Sequence, residues 1–265
     1  CVTGVQTCAL PILSGCHTNS FLSMCGTASA AVAAGGHVLA KTATEWNGSS
    51  WAAATNMTYG RRQHSLIGTQ TSGLVAGGND ASVTVPFIGC LEYNGTSWSN
   101  GGNLPADQNG TAGAGTQTAG LLSGGGAGSV ITKEYNGSSW AAGGSLPSAK
   151  NNGAGDGTQT AAYTTAGYDG IQITATYEYN GSSWTTVNDC NVARHYPASA
   201  GNMNSGLICG GGYAIETIFS TESYDGTTWS MRADLNAAPS STAGCGSNNT
   251  SCIRGGATAS EQYSE

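Results

Sequence analysis

Short apolar segments that end in paired glycines recur along the chain. Clear copies occupy residues 74–78, 121–125 and 207–211. Each segment is too short for a typical helix and ends in residues that favour turns, so each predicts a buried β-strand followed by a loop. Before two of them stands Gly-Thr-Gln-Thr, starting at Gly68 and Gly115. This motif predicts a tight turn that joins the apolar strand to a small, polar strand upstream.

A second motif contains most of the polar and aromatic pattern. Residues 92–98 read Glu-Tyr-Asn-Gly-Thr-Ser-Trp, and near-copies occupy residues 134–140 and 178–184. Looser copies lie at residues 45–51 and 222–229, and a sixth begins at Glu261. Each copy predicts a strand, a two-residue hairpin turn at Asn-Gly with an aromatic on either side, and the start of another strand.

Together the motifs define a repeated unit of four short strands, which we name a to d. Successive tryptophans of the second motif are 47, 42, 44 and 45 residues apart. This spacing predicts a single all-β domain, a β-propeller of four-stranded antiparallel blades with five complete blades and a partial sixth. The ring is expected to be six-bladed, or a truncated seven-bladed one. The expected blades are approximately residues 13–57, 58–104, 105–146, 147–190, 191–236 and, without its outermost strand, 237–265.

One four-stranded sheet cannot bury both of its faces, so the repeated aromatic residues are expected to pack between blades. They are Trp51, Trp98, Trp140, Trp184, Trp229, Tyr93, Tyr135, Tyr179 and Tyr224. The repeat glutamates are expected to accept hydrogen bonds at blade edges, because six near-identical catalytic acids would serve no chemistry.

The glycine doublet after an apolar strand, followed by Tyr and Trp around a turn, resembles the kelch repeat. Arg61 and Arg194 stand where that family often has an Arg before strand a. The distance of five residues from Tyr to Trp in most copies is shorter than usual for kelch, which makes this a variant. The units are also similar to repeats of environmental phage and bacterial surface proteins. The resemblance covers residues 13–265 and implies a fold but no particular activity.

Residues 1–12 do not fit the repeat and resemble a translated sequencing adapter. They are expected to be non-native, and the chain is then expected to be part of a longer one. Charged residues make up only 9% of the chain, with a net charge of −7, which argues against a nucleic-acid partner. No apolar run approaches the roughly 18 residues of a membrane span. The expected location is extracellular, on a virion or a cell surface.

Loop length varies on one rim of the expected propeller. The a–b and c–d turns lie on one face and are nearly constant, whereas the b–c loops on the other face differ in length. A constant scaffold with one varied rim is typical of ligand presentation, although unconstrained drift is an equal alternative. The candidate ligand-binding residues are Asn79, Asp80, Pro86, Phe87, Tyr168, Asp169, Tyr213, Glu216 and Phe219.

Cysteine spacing gives no zinc motif, so no metal or other cofactor is expected. If the last a–b turn is centred on residues 248–249, Cys245 and Cys252 fall opposite each other. They then form either a disulfide or, the favoured alternative, a pair of buried thiols in the place of Ala114 and Leu121.

No catalytic constellation stands out. The histidines and tyrosines do not match the ligand set of kelch-like copper radical oxidases, and the arginines do not match the triad of sialidase propellers. The expected function is therefore a non-enzymatic binding or adhesion module for a glycan or protein. The alternatives are a glycan-acting enzyme of the galactose-oxidase or glycosidase kind, with its catalytic parts outside this chain, and a structural spacer.

Overall fold

The computed structural model describes residues 12–13, 20–37, 41–79, 88–126, 129–212, 217–236, 243–255 and 260–264. These residues form a β-propeller of five four-stranded antiparallel blades in a ring, with a smaller sixth sheet. The all-β propeller predicted from the repeats is thus confirmed. No helix in the described ranges is long and apolar enough to cross a lipid bilayer.

The strands are numbered in chain order from β1 (Ile12–Leu13). Blades 1 and 2 contain β2 (Ser23–Thr27), β3 (Ala30–Ala34), β4 (Ala43–Trp46), β5 (Trp51–Ala54), β6 (Ser65–Thr69), β7 (Ser72–Ala76), β8 (Leu91–Tyr93) and β9 (Trp98–Asn100). Blades 3 and 4 contain β10 (Ala112–Thr116), β11 (Ala119–Ser123), β12 (Thr132–Tyr135), β13 (Trp140–Ala142), β14 (Ala154–Thr158), β15 (Ala161–Thr165), β16 (Thr176–Tyr179) and β17 (Trp184–Thr186). Blades 5 and 6 contain β18 (Ala198–Asn202), β19 (Ser205–Cys209), β20 (Thr221–Tyr224), β21 (Trp229–Arg232), β22 (Ala243–Asn248), β23 (Ser251–Gly255) and β24 (Ser260–Ser264).

Blade 6 takes its outermost strand from the other end of the chain. Its strand order is β22, β23, β24 and then β1, with Ile12 opposite Glu261 and Leu13 opposite Ser260. The sequence predicts a sixth blade without an outer strand, whereas the structure fills that position with these two residues. Ile12 is also the last residue of the segment that the sequence sets apart as non-native, and residues 1–11 lie outside the described ranges.

The ring closes between blade 6 and blade 1. The innermost strands β22 and β2 contact each other, as do the innermost strands of every other neighbouring pair of blades. Leu22 and Met24 of blade 1 share one apolar cluster with Ala243, Cys245 and Ile253 of blade 6. The described sheets therefore close the ring at six.

The repeated aromatic residues pack between blades, as expected. Tyr93 of blade 2 clusters with Val32 of blade 1, and Tyr135 of blade 3 clusters with Ile67 and Leu74 of blade 2. Each Tyr also contacts the Trp across its own hairpin. The ring centroids are 4.5 Å apart for Tyr93 and Trp98, and 4.8 Å apart for Tyr135–Trp140, Tyr179–Trp184 and Tyr224–Trp229.

The repeat glutamates accept hydrogen bonds from the tyrosine of the next blade, which confirms their predicted role as acceptors at blade edges. The Tyr135 hydroxyl donates to Glu92 Oε1 at 2.7 Å and accepts from the Gly102 N–H at 3.0 Å. Burial, together with Glu92, raises the pKa of Tyr135 to about 12, so the hydroxyl remains a donor. The same bond joins Tyr93 to Glu45, Tyr179 to Glu134 and Tyr224 to Glu178.

The glutamine of each Gly-Thr-Gln-Thr turn joins neighbouring blades on the rim that carries the a–b and c–d turns. Gln117 Nε2 of blade 3 donates to the carbonyls of Gly73 and Tyr93 in blade 2, at 3.0 and 2.8 Å. Gln70 and Gln159 make the equivalent pair of bonds, and Asn249 reaches the Tyr224 carbonyl at 3.3 Å. The near-constant a–b turn therefore has a structural cause, because its amide satisfies carbonyls of the preceding blade.

The Asn-Gly hairpin differs from the predicted two-residue turn. Tyr93 pairs directly with Trp98, so the loop contains the four residues 94–97. Gly95 has the left-handed φ of 90°, while Asn94 Oδ1 accepts the N–H groups of Thr96 and Ser97 at 3.0 and 2.8 Å. The asparagine is therefore selected for its side-chain acceptor and the glycine for its backbone.

Cys245 and Cys252 are free, buried thiols, and no disulfide joins them. A register shift between Gly246 and Asn248 places Cys245 opposite Ile253, and Cys252 opposite Gly246. Their side chains belong to different apolar clusters, one shared with blade 1 and one with blade 5. The favoured alternative of two buried thiols is thus observed, but the bulge, which the sequence did not reveal, places Cys252 at the position of Gly120 rather than opposite Cys245.

We expect Tyr135→Phe to lower the free energy of unfolding by about 1–2 kcal/mol, because Glu92 and the Gly102 N–H both lose a partner. Urea denaturation followed by circular dichroism measures the change. Tyr177→Phe is the matched control. The Tyr177 side chain is buried in the equivalent strand of blade 4, β16, but it does not contact a repeat glutamate. An equal loss in both variants would contradict a special role for the inter-blade bond.

Candidate functional site

The mouth of the central channel on the b–c rim is built from one equivalent position in each blade. This position lies two residues before each innermost strand, and in blades 1 to 5 it has left-handed φ angles of 51–62°. The residues are Phe21, Gln63, Gly110, Asn152 and Tyr196. Four of the five are not glycine, and non-glycine residues in this conformation concentrate at functional sites. The equivalent position of blade 6 lies outside the described ranges.

A chain of backbone hydrogen bonds joins these positions from blade to blade. The N–H of Gly110 donates to the Gln63 carbonyl at 2.8 Å, and that of Asn152 donates to Gly110 at 2.7 Å. The Tyr196 N–H continues to Asn152 at 2.9 Å, and the Gln63 N–H reaches Phe21 at 3.4 Å. The left-handed backbone is thus held by neighbouring blades, and it directs four different side chains, with Gly110 between them, around one opening.

Amide side chains form a hydrogen-bonded row across this mouth. Asn109 Nδ2 donates to Asn79 Oδ1 at 3.0 Å, and Asn79 Nδ2 donates to Gln63 Oε1 at 2.9 Å. Gln63 Nε2 then donates to the hydroxyl of Tyr196. Gln63 belongs to blade 2 and Tyr196 to blade 5, on the opposite side of the ring, so this last bond spans the mouth.

A second pair of amides leaves one buried acceptor unused. Asn152 Nδ2 donates to Asn151 Oδ1, and Asn151 Nδ2 donates to the Gly126 carbonyl, both at 2.8 Å. Asn152 Oδ1 is buried and accepts no hydrogen bond from the described residues. A Cβ on Gly110 would lie 2.1 Å from this oxygen, so a larger residue there would displace the Asn152 side chain. The oxygen is thus buried and left without a donor among the described residues.

Aromatic rings complete the same opening. His195 stacks between Tyr168 and Tyr196, with centroid distances of 5.0 and 4.1 Å. Phe21 meets the edge of Tyr196 at 5.0 Å. Tyr168 is 37% exposed and forms the solvent end of the row. Burial lowers the pKa of His195 to about 4, so this ring is uncharged at neutral pH.

Buried donors hold the base of the b–c loops in place. The residue four positions before each innermost strand is Arg61, Gln108, Lys150 or Arg194 in blades 2 to 5. All four are buried. Each also accepts a backbone bond from the glycine pair of the preceding blade, such as Gly78 N–H to the Gln108 carbonyl at 2.7 Å. Arg61 and Arg194, the two arginines at the kelch-like position, are therefore structural residues of this site.

The charged side chains among these four turn back to their own blade, whereas both amide atoms of Gln108 are buried without a hydrogen-bond partner among the described residues. Arg61 Nη1 donates to the Gly77 and Gly89 carbonyls at 3.1 and 2.8 Å, at the two ends of the b–c loop. Lys150 Nζ donates to the Ala175 carbonyl at 3.3 Å, and burial lowers its pKa to about 7. Arg61 thus fixes both ends of its b–c loop, and Lys150 fixes the point at which its loop re-enters the sheet.

Blade 5 uses its repeat glutamate differently. Arg194 Nη2 forms an ion pair with Glu222 Oε1 at 2.5 Å, and both side chains are fully buried. The N–H groups of Asn191 and Val192 donate to the same carboxylate at 2.6 and 3.0 Å. The pair is satisfied and inaccessible, so it supports the blade and is not placed to meet a ligand.

Below the mouth, the innermost strands enclose a channel of about 180 Å³. Asp156 is the one carboxylate among the described residues that line it, at the position that Ala114 and Ala200 occupy in other blades. It accepts the N–H of Gly157 at 2.7 Å and that of Gly201 in the next blade. Burial nevertheless raises the pKa of Asp156 to about 7. Within the described ranges, no three His, Cys, Asp or Glu side chains are grouped to hold a metal ion.

The structure separates the candidate residues proposed from the sequence. Asn79 and Tyr168 lie at the mouth, whereas Asp169 and Phe219 are exposed on the loops of the b–c rim. Phe219 is 45% exposed. The remaining candidates lie outside the described residues: Asp80, Pro86, Phe87, Tyr213 and Glu216.

Sequence reasoning missed most of the mouth. It followed loop length, while Gln63, Asn152 and Tyr196 lie in d–a connections of constant length. A usable signal was present, because this position holds five different residues within units that otherwise repeat closely. At this position the residue type varies between blades, whereas the length of the connection does not.

The fold and the mouth define a β-propeller with a polar, aromatic-lined opening to its central channel. No protein-family model matches the sequence, and no curated protein matches it. Among solved structures, that of YjhT is similar, with a TM-score of 0.74 and 13% sequence identity over 97% of this chain and 95% of that chain. At this identity the similarity supports the shared fold alone.

We expect Asp156 to destabilise the protein as the pH rises from about 4 to about 7, because it then ionises in the unfolded chain but not in the folded one. His195, which is neutral in the folded chain, contributes in the opposite direction over the same range. Asp156→Asn removes the contribution of Asp156, so the variant should exceed the wild type by about 3–4 kcal/mol above pH 7. Urea denaturation at about pH 5 and pH 8 tests this. Asp107→Asn, on the exposed surface, is the control. An unchanged pH dependence in Asp156→Asn would show that another group causes it.

Proposed function

We propose that the protein is a non-enzymatic binding propeller that recognises an uncharged glycan at the channel mouth on the b–c rim. The proposal includes its assignment as a kelch-like variant and its role on a phage particle or bacterial surface. The observation that carries it is the convergence of an amide row and an aromatic row on one opening.

The chemistry of the mouth suits sugars. Asn and Gln side chains offer both donors and acceptors, which match the hydroxyl groups of a sugar. Aromatic rings supply flat apolar surfaces with a polar edge, which match the C–H faces of a pyranose ring. The opening is organised by backbone bonds before any ligand arrives, and this lowers the entropy cost of binding.

Charge supports a neutral ligand. Most described side chains around the mouth are amides and aromatic rings, His195 is uncharged at neutral pH, and Arg62 beside Asn79 is the half-buried cation. Arg61, Lys150 and Arg194 are buried beneath the loops and already donate to protein groups. An anionic ligand would therefore find little accessible positive charge among these residues.

The same composition favours binding over hydrolysis. Most glycoside hydrolases use two carboxyl groups on either side of the bond that they cleave. Of the described residues, the mouth contributes amides where such an enzyme needs carboxylates, and Asp156 lies deeper in the channel. A glycan-acting enzyme stays the alternative, and product analysis separates it from a binding module.

The test is a glycan array followed by calorimetry on the best ligand. We expect Tyr168→Ala and Asn109→Ala each to weaken binding at least about tenfold, because each removes part of the mouth. Phe219→Ala is the control, since Phe219 is exposed on the same rim but outside the mouth.

Three results would contradict the proposal. Loss of binding in Phe219→Ala with normal binding in the other two variants would move the site to the loops. Absence of binding to any glycan would reject the ligand class. Conversion of the bound glycan, seen by mass spectrometry after incubation, would reassign the protein as an enzyme.

A further inference from the structure

The hairpin turns of blades 1 to 4 hold their asparagine side chains in the same way. Asn94 Oδ1 accepts the N–H groups of Thr96 and Ser97 at 3.0 and 2.8 Å, and the Thr96 hydroxyl at 2.9 Å. The other three turns repeat the two N–H bonds at 2.9–3.0 Å, with the acceptors Asn47, Asn136 and Asn180. All four asparagines are exposed to solvent. Each turn therefore directs two backbone donors at one amide oxygen.

A glycine follows each of these asparagines. None of the described residues accepts a hydrogen bond from the nitrogens of these glycines, which are Gly48, Gly95, Gly137 and Gly181. Glycine has no side chain to shield its nitrogen from the preceding amide, and its backbone adopts angles that other residues resist. The nitrogen that can attack the asparagine side chain is therefore accessible, and no described residue holds it in place.

The chain contains three more Asn-Gly pairs, each of which lacks one of these two features: those at Asn100, Asn109 and Asn152. In the first pair, the Gly101 nitrogen donates to the Cys90 carbonyl at 3.0 Å. In the second pair, the Gly110 nitrogen donates to the Gln63 carbonyl at 2.8 Å. In the third pair, the asparagine Oδ1 accepts no hydrogen bond from the described residues. The same dipeptide thus occurs in different structural settings within one chain.

Blade 5 has an aspartate at the equivalent position of its turn. Asp225 Oδ1 accepts the N–H groups of Thr227 and Thr228 at 2.8 and 2.7 Å, as the asparagines do in the other turns. The N–H groups of Thr228 and Thr227 lower the pKa of Asp225, because they bond more strongly to the charged carboxylate. The turn therefore accommodates a carboxylate in place of an amide and keeps the same two backbone bonds.

We propose that the four exposed turns are modification sites, at which asparagine converts to aspartate without an enzyme: Asn47, Asn94, Asn136 and Asn180. The glycine nitrogen loses its proton to hydroxide and bonds to the side-chain carbon Cγ. The bond from Cγ to the amide nitrogen then breaks, and ammonia leaves a cyclic succinimide. Water adds to Cγ, the bond from Cγ to the glycine nitrogen breaks, and a carboxylate remains. The net reaction consumes water and releases ammonia, and it needs no oxidant or reductant.

The turn donors contact the atom that gains charge in this reaction. When the glycine nitrogen attacks Cγ, negative charge develops on Oδ1, which already accepts two N–H groups and, in the Asn94 turn, the Thr96 hydroxyl. Donors that are already in place around such an oxygen lower the activation barrier. Because the turns are exposed, we expect a smaller effect than in a buried active site, about tenfold in rate.

The fold also selects the form of the product. Water can add instead to the main-chain carbonyl of the succinimide, which gives isoaspartate and an additional carbon in the main chain. That product would disturb the pairing of Tyr93 with Trp98 across the turn, whereas Asp225 shows that ordinary aspartate fits. The folded protein should therefore yield mainly aspartate. Complete conversion would give each of blades 1 to 5 an acidic turn on the rim opposite the mouth.

The experiment incubates the folded chain at mildly alkaline pH and follows each Asn-Gly peptide by mass spectrometry after digestion. We expect the four turn sites to convert at least about tenfold faster than Asn100, Asn109 and Asn152. The same chain in denaturing urea is the control, because all the sites then share one dipeptide without its structure, and their rates should converge. Electron-transfer fragmentation distinguishes aspartate from isoaspartate, and the folded protein should give mainly aspartate.

Thr96→Val tests the donors directly, because it removes the hydroxyl bond to Asn94. Conversion at Asn94 should slow about two- to fivefold, while Asn136 in the same chain keeps its rate. The wild-type comparison between sites stands even if this variant fails to fold. Turn sites that convert no faster than the other three, an unchanged order of rates in urea, mainly isoaspartate in the folded protein, or an unchanged rate at Asn94 in the folded variant would overturn the proposal.

Discussion

The contact between neighbouring blades is the constraint on which the rest of this structure depends. The innermost strands are rich in Gly, Ala and Ser, and a single sheet of this composition has little apolar surface of its own to bury. Stability comes instead from repeated inter-blade contacts, in which a tyrosine ring packs on the previous blade and its hydroxyl meets that blade's glutamate. The connection is completed by the turn glutamine on the a–b rim and by a blade-to-blade backbone hydrogen bond on the b–c rim.

The channel mouth is a consequence of the same connections. The blade-to-blade backbone bonds on the b–c rim hold one position of each blade in a left-handed conformation, which non-glycine residues rarely adopt. Because these bonds are made by the backbone, the side chains at the position are free to differ. The propeller thus combines a constant framework with four different side chains around one opening, which is the arrangement expected of a selective binding site.

The candidate site shows why loop length was an incomplete guide. It directed attention to the b–c rim and to Asn79 and Tyr168, which the structure places at the mouth. It gave no weight to Gln63 or Tyr196, because their segments keep a constant length in every unit. That these two side chains meet across the ring depends on blades 2 and 5 being opposite one another, over a separation of 133 residues. No local pattern contains that information.

The sequence by itself determined the all-β class, the four-stranded unit and the inter-blade role of its Tyr, Trp and Glu residues, because repetition exposes whatever every blade needs. Features that occur once were decided only by the tertiary structure. The bulge after Gly246 separates Cys245 from Cys252, and β1 completes blade 6 from the far end of the chain. Ring closure and register depend on contacts between residues that are distant in sequence, so they exist only once all the blades have been assembled.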